Sequence, residues 1–136
     1  MTQHARGPFD VKIAPQKADN PQAENAGIAR MSIDKQFHGD LEAASQGEML
    51  AVRTDIANSA GYVAIERVTG SLHGRKGSFV LQHSSTMNRG VPTQGIAVVP
   101  DSGSGELSGL DGTMTIVIAE GGKHSYVFDY TLAAVN

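Results

Sequence analysis

Apolar and polar residues alternate along most of this chain, and the alternation is interrupted by glycines. The clearest case is the segment Ile28–His38. One of its faces carries apolar side chains, those of Ala29, Met31, Ile33 and Phe37. A period of two residues is typical of a strand that is buried on one side. This segment is therefore predicted to be a half-buried β-strand.

Seven further segments show the same alternation or are rich in β-branched and aromatic residues. The full set is Phe9–Ile13, Ile28–His38, Gly47–Thr54, Gly61–Thr69, Gly77–Thr86, Gly95–Pro100, Thr113–Ala119 and His124–Ala133. Short strands separated by turn residues predict a sandwich or a barrel. The polar stretch 15–26 has no apolar period and predicts a long loop. Residues 1–7 are expected to be a frayed N-terminus.

A glycine motif recurs between these segments and decides the architecture. The pattern Gly-x-Leu-x-Gly-x-x-Gly occurs at Gly70–Gly77 and at Gly105–Gly112, with a degenerate copy at Gly39–Gly47. Each copy predicts a hairpin whose glycines adopt positive φ and whose leucine folds back into one end of the core. The alternative is that these glycines are unrelated turn residues. With the outer strands, the repeat predicts one all-β domain over residues 1–136, a closed eight-stranded antiparallel meander barrel.

Composition narrows the range of partners. The chain of 136 residues carries 11 basic and 14 acidic side chains, which give a net charge of -3. Nucleic acid is not an expected partner, because binding to phosphates usually needs a positive excess. The absence of cysteine excludes disulfides, thiolate metal sites and a cysteine nucleophile. No apolar run approaches 18 residues and no signal-peptide-like stretch opens the chain, so we expect no membrane partner and a cytoplasmic location.

The motifs of common enzyme classes are absent. The sequence contains no Gly-x-Ser-x-Gly, no phosphate-binding Gly-Lys-Ser/Thr loop and no His-Glu-x-x-His. No two histidines have the His-x-His spacing that places two imidazoles on one strand face. We therefore expect neither a metal nor a cofactor.

Glu66 and His83 are the candidate catalytic pair. Glu66 shares a strand face with Tyr62, Ala64 and Val68, and a carboxylate among apolar neighbours must be exposed, paired or functional. If the hairpin at 70–77 pairs its flanking strands, residues whose numbers sum to about 147 face each other. Glu66 and His83 then lie diagonally on one face, within reach of each other. They could form an acid/base pair inside the barrel, or a polar network that only fixes strand register.

Four other residues are candidate ligand contacts. Glu48 is a second carboxylate, on the face of Leu50 and Val52. The three tyrosines could line the same cavity and offer hydroxyl groups to a ligand, or they could be ordinary core aromatics; they are Tyr62, Tyr126 and Tyr130.

The chain also resembles a known family. The stretches Phe37–Leu41, Gly61–Arg67, Gly77–His83 and Pro100–Leu107 look like those of a bacterial family of uncharacterised small proteins, grouped structurally with the allene oxide cyclase barrel. The resemblance covers about Phe9–Leu132. It implies a closed eight-stranded meander barrel, often assembled into oligomers, and no established reaction. The better-known relatives of that fold steer ring closure or radical coupling of apolar small molecules.

Two functions follow as hypotheses. The first is a barrel that binds an apolar small molecule and could cyclise or isomerise it through Glu66 and His83. The alternative is a non-catalytic, oligomeric structural or stress-associated barrel whose interior is filled by side chains. A cavity below about 300 Å³ would count against a drug-sized ligand. Apolar residues on both faces of Gly61–Val68 and Thr113–Ala119 predict a homo-oligomer in either case.

Overall fold

The fold is a β-barrel. The computed structural model describes residues 1–132, which form nine strands and one short helix. The elements are β1 (Gln3–Gln16), α1 (Pro21–Asn25), β2 (Ala29–Phe37), β3 (Leu41–Arg53), β4 (Ala60–Leu72), β5 (Arg75–Asn88), β6 (Val91–Val98), β7 (Ser104–Gly105), β8 (Asp111–Ile118) and β9 (His124–Thr131).

Eight of these strands close on themselves. β1 to β6 pair with their sequence neighbours, β6 then pairs with β8, β8 with β9, and β9 with β1, all antiparallel. The two-residue strand β7 adds to β5 outside this ring. The predicted closed eight-stranded antiparallel barrel is confirmed. Closure gives every long strand a partner on both sides, and the weakest of these pairings is the one between β6 and β8, at a single ladder position.

The two ends of the barrel are built differently. At the end that we name the closed end lie the turns 38–40 and 73–74 and the loop 99–110. Four leucines are buried there, as was predicted for the motif leucines; they are Leu41, Leu72, Leu107 and Leu110. At the opposite end, the open end, lie the loops 17–28, 54–59, 89–90 and 119–123. The aromatic core fills the interior toward the closed end, with the Phe128 ring between those of Phe79 and Tyr130.

Glycines of the repeated motif act in two ways. Gly74 adopts a φ of +81° in the two-residue turn between β4 and β5, as predicted. Gly70 does not have a positive φ. Position 70 requires glycine because a Cβ there would lie 2.2 Å from the backbone oxygen of Glu42 in β3. The motif copy at Gly105–Gly112 does not form a simple hairpin. Its Gly105 pairs with Gly77 of β5, and β6 and β8 are joined by the whole loop 99–110.

The predicted element boundaries need three corrections. Residues 1–7 are not frayed, because β1 begins at Gln3 and pairs with β9 up to Phe9, with Ala5 fully buried. The predicted loop 15–26 contains α1, whose N-cap Asn20 accepts a hydrogen bond from the Gln22 backbone nitrogen. β3 begins at Leu41, so the turn after β2 is only three residues long. The predicted end of the last strand at Ala133 lies outside the described residues.

Among the residues that the structure describes, α-helix is confined to the five residues of α1. Within residues 1–132 no helix is long and apolar enough to cross a membrane.

Candidate functional site

Four polar side chains meet inside the barrel at mid-height. The residues are Lys35 of β2, Ser45 of β3, Glu66 of β4 and His83 of β5, each at most 7% exposed. Glu66 lies at the centre. Its Oε2 accepts a hydrogen bond from Lys35 Nζ at 2.8 Å, and its Oε1 accepts one from Ser45 Oγ at 2.8 Å. His83 Nε2 lies 2.6 Å from the same Oε2.

The strand register brings these groups together. Glu66 stands opposite Leu81, and Ala64 stands opposite His83, which is the pairing that the sequence predicted. The two-residue turn after Leu72 fixes this register without a bulge. Glu66 and His83 are therefore diagonal neighbours on the inner face, as predicted. Lys35 approaches Glu66 and His83 from β2, and its partner in the β2–β3 ladder is Ser45.

Burial and charge oppose each other at Glu66. Burial by itself would raise the pKa of the carboxyl, because a low-dielectric site disfavours the charged form. The close contact with His83 and the positive charge of Lys35 outweigh this and lower the pKa of Glu66 to about 2. Glu66 is therefore ionised at neutral pH. It serves as the fixed anion that holds the surrounding donors in place.

The imidazole of His83 is less well satisfied than the carboxylate. Its Nε2 is close to Glu66 Oε2, yet it is buried and has no hydrogen bond of acceptable geometry. The Nε2–Oε2 contact is therefore short without being a well-aligned hydrogen bond. Lys35 Nζ lies 5.3 Å from the centre of the Phe9 ring and 5.7 Å from that of Phe37, at cation–π distance.

A cavity of about 220 Å³ lies above this cluster, toward the open end. Lys35 and His83 line it, whereas Glu66 has no exposed surface. The rest of the wall is almost entirely apolar or aromatic; it comprises Phe9, Val11, Ile13, Ile33, Met49, Tyr62, Ile116, Ile118 and His124. A second recess of about 350 Å³ at the open end shares Ile13, Met49 and Tyr62 with it. The interior is thus filled in its lower half and open in its upper half.

Comparison with known proteins gives a family without an assigned activity. Residues 5–130 match the family model described as "Protein of unknown function (DUF3224)". The chain belongs to the DUF3224 family. It is similar to a solved structure from Shewanella oneidensis MR-1, a protein with unknown function from the DUF3224 family at 1.84 Å resolution. The two are 47% identical with a TM-score of 0.89, over 98% of this chain and 100% of the other. No curated protein matches.

These findings confirm the expected resemblance to an uncharacterised family with a bacterial member. The allene oxide cyclase part of that resemblance stays a prediction, because neither match carries that name.

Two of the candidate tyrosines lie away from the cavity of this DUF3224 protein. Tyr126 Oη donates a hydrogen bond to the His38 carbonyl at 2.7 Å and accepts one from the Leu41 backbone nitrogen at 2.8 Å. Tyr130 contacts the His73 imidazole through its hydroxyl. Both hydroxyls therefore contact turns at the closed end and hold them in place. Burial raises the pKa of both phenols. Neither lines the cavity, and both belong to the aromatic core, which was the alternative considered for them, whereas Tyr62 does line the cavity.

Glu48, the other candidate ligand contact, does not line the interior cavity. Glu48 shares a face with Leu50, as expected, but that face is the outer one. Its Oε1 lies 2.6 Å from Arg30 Nη2 on the surface, and its side chain is 57% exposed. Alternation showed which residues share a face of β3, and the apolar Leu50 and Val52 made the outer face look like the inner one.

Lys35 and Ser45 belong to the buried cluster but were not predicted from the sequence. Lys35 has the same parity as Ile33 and Phe37, so a lysine occupies a position that the apolar alternation assigns to the core. That interruption was the available signal. Ser45 gave none, since serine is common on either face of a strand. In the described part of the chain, no group of three or more histidine, aspartate and glutamate residues has the arrangement of a metal site.

Beside the cavity, two neighbouring strands of the barrel wall, β6 and β8, are weakly paired, and we call this place the seam. Among the described residues, β6 and β8 share a single ladder position, Ala97 opposite Thr113. Three residues further toward the open end, the Gln94 side chain takes the place of backbone pairing. Its Oε1 accepts a hydrogen bond from the Ile116 nitrogen at 2.9 Å, and its Nε2 donates one to the Ile116 carbonyl at 3.3 Å. The two strands are thus spread apart by the length of one side chain.

Proposed function

We propose that this DUF3224 protein binds a small, largely apolar molecule in the interior cavity, with the polar end of that molecule toward Lys35 and His83. One observation carries the proposal: two buried donor side chains line an otherwise apolar cavity inside a closed barrel. Ligand sites typically combine an apolar wall with a few convergent polar groups. A core that served stability alone would gain little from a lysine and a histidine at this position, because burying polar groups costs free energy.

The cavity limits the size of the ligand. Its volume of about 220 Å³ is below the roughly 300 Å³ at which drug-sized ligand pockets begin. The ligand is therefore a small molecule, and a longer tail would have to extend past Met49 and Tyr62 into the adjoining recess of about 350 Å³.

The same geometry bears on an isomerase or cyclase activity. Glu66 is fully buried, is ionised at neutral pH and does not reach the cavity, so it is suited to hold its neighbours and not to exchange protons with a ligand. Any proton transfer to a bound molecule would fall to His83, with Glu66 orienting the ring. Binding is the function that the arrangement supports by itself, and turnover would be an addition to it.

The proposal is tested by filling the cavity. Val11→Phe places a ring in the cavity wall, and Val63→Phe makes the same change on the outer face, where Val63 is 53% exposed. Binding of a library of small apolar acids, amides and alcohols is followed by thermal shift and by NMR of the cavity methyl groups. We expect millimolar or tighter binding to the natural protein and to Val63→Phe, with at least a tenfold loss in Val11→Phe. Equal binding to all three proteins, or binding to none, would refute the proposal.

A second role in assembly is supported by a different observation. On the outer faces of β3 and β4 four apolar side chains are 41–57% exposed; they are Leu50, Val52, Val63 and Ile65. Clustered exposed apolar residues are typical of protein contact surfaces. We propose a homo-oligomer that covers this patch, a role that is compatible with ligand binding inside each barrel.

A further inference from the structure

We infer that the polar end of the ligand is a carboxylate, and that it binds together with one proton that His83 accepts. This rests on the proposed function and narrows it to a class of ligand, namely small apolar carboxylic acids.

The geometry of the donors is the first argument. Lys35 Nζ carries three N–H groups, and among residues 1–132 its hydrogen-bond acceptor is Glu66 Oε2. His83 Nε2 lies against that same oxygen without a well-aligned hydrogen bond. That nitrogen is fully buried, so the imidazole meets the cavity through the rest of its ring, and this edge of the ring and Lys35 Nζ lie close enough together for a single planar head group to bridge them. A carboxylate offers two oxygens for two such donors, and charge-assisted hydrogen bonds are the stronger ones.

The balance of charge is the second argument. The Lys35 ammonium and the Glu66 carboxylate cancel, so the cluster is neutral when the His83 imidazole is neutral. A carboxylate that entered this site would add an uncompensated negative charge in an apolar cavity, which is costly. A proton on His83 restores neutrality and makes the ring a second charged donor. The site therefore accepts an acid in the form of an anion plus a proton.

The surroundings of His83 leave few other groups to take this role. Glu66 faces it from β4, Lys35 from β2, and His124 of β9 lines the same cavity. On β6 its ladder partner is Ile96, and on β4 it is Ala64, neither of which titrates. Tyr62 is the remaining titratable residue of the cavity wall. His83 is the one of these that touches the buried ion pair.

The experiment compares acids with their neutral counterparts. Isothermal titration calorimetry is run with butanoate to octanoate and with the corresponding amides, at pH 6, 7 and 8. Each acid is measured in two buffers that differ in ionisation enthalpy, which gives the number of protons taken up. We expect the best acid to bind at least tenfold more tightly than its amide at pH 6. Where the free imidazole is neutral, we expect uptake of about one proton and a loss of affinity of up to tenfold per pH unit.

Two variants assign the effect to the cluster. His83→Gln should abolish proton uptake and reduce the preference for the acid at least tenfold, while the amide still binds. The paired change Lys35→Met with Glu66→Gln removes both charges at once and should also remove the preference. The proton uptake of the natural protein is measured without any variant, so the test stands even if a variant does not fold.

The two proposals fail in different ways. Amides that bind as tightly as the acids, or acid binding without proton uptake at every pH, would overturn the carboxylate inference and leave the binding cavity standing. If neither series binds, the binding function fails and the inference fails with it.

Discussion

Gly47 and Glu66 stand directly opposite each other in β3 and β4, and the two strands approach so closely there that Gly47 has no room for a side chain. A Cβ on Gly47 would lie 2.2 Å from the Ile65 carbonyl oxygen and 2.7 Å from the Glu66 Cβ. The stem of Glu66 occupies the space that a side chain at position 47 would need. A glycine in one strand thus helps to position the central carboxylate in the next.

Gly47→Ala is expected to destabilise the fold by about 1–3 kcal/mol, the usual cost of forcing extra volume into a packed site. Gly61→Ala is the matched control in β4, since its added Cβ would meet nothing closer than 3.7 Å. Urea denaturation of both variants measures the difference. A Gly47→Ala protein as stable as Gly61→Ala would show that the strands can separate without cost and that Glu66 needs no such support.

Glu66→Gln is expected to cost about 3–5 kcal/mol, because it leaves the Lys35 ammonium buried without a counter-charge. Combining it with Lys35→Met should recover much of that loss, and the double-mutant cycle gives the coupling free energy. Glu48→Gln, on the outer face, is the control and should leave the melting temperature nearly unchanged. Additive effects of Glu66→Gln and Lys35→Met would contradict the ion pair.

Acid should weaken the fold through Glu66. Its pKa is lowered from 4.5 to about 2 in the folded protein, so folding favours the ionised form. The resulting stabilisation is fully present above about pH 4.5 and is lost as the pH falls toward 2. A shift of this size corresponds to about 3 kcal/mol. The free energy of unfolding, measured from pH 7 to pH 2 in the natural protein and in Glu66→Gln, should show this slope only in the former.

The sequence was informative about pairing and less so about position in the barrel. A two-residue turn and strict alternation were enough to place Glu66 diagonal to His83, because register propagates from the turn. Glu48 was misplaced because both faces of β3 are partly apolar, so that alternation alone could not say which face is inside. Tyr126 and Tyr130 were assigned to the correct face but at the wrong height. The height of a residue along the barrel axis depends on the stagger between successive strands around the closed ring. The sequence of a single strand does not show this stagger.

The N-terminal strand was missed for a related reason. Residues 1–7 are mostly polar and exposed on their own, and they become a strand because β9 offers backbone partners from His124 to Tyr130. A strand that depends on a partner more than a hundred residues away leaves little local signal.

The outer apolar patch on β3 and β4 should make the protein associate. Light scattering at micromolar concentration is expected to give a mass at least twice the 14.3 kDa of the chain. Ile65→Glu should shift the population toward the monomer, since it places a charge in the patch where Ile65 is 57% exposed. Arg67→Glu changes a neighbouring exposed position outside the apolar patch and is the control. A mass of one chain in the natural protein would contradict the proposed assembly.

The seam between β6 and β8 implies that the barrel wall is unevenly stiff. Elsewhere consecutive residue pairs join the strands, but at the height of the cavity one glutamine amide bridges β6 to β8. A rotation of the Gln94 side chain would uncouple this part of the wall at the cost of two hydrogen bonds, whereas separating β4 from β5 would break a ladder of thirteen residue pairs. Amide hydrogens of 114–118 that face β6 should therefore exchange faster than those of β4, and Gln94→Ala should speed them further. The barrel wall would then open transiently between β6 and β8, and this part of the wall borders the cavity at Ile116.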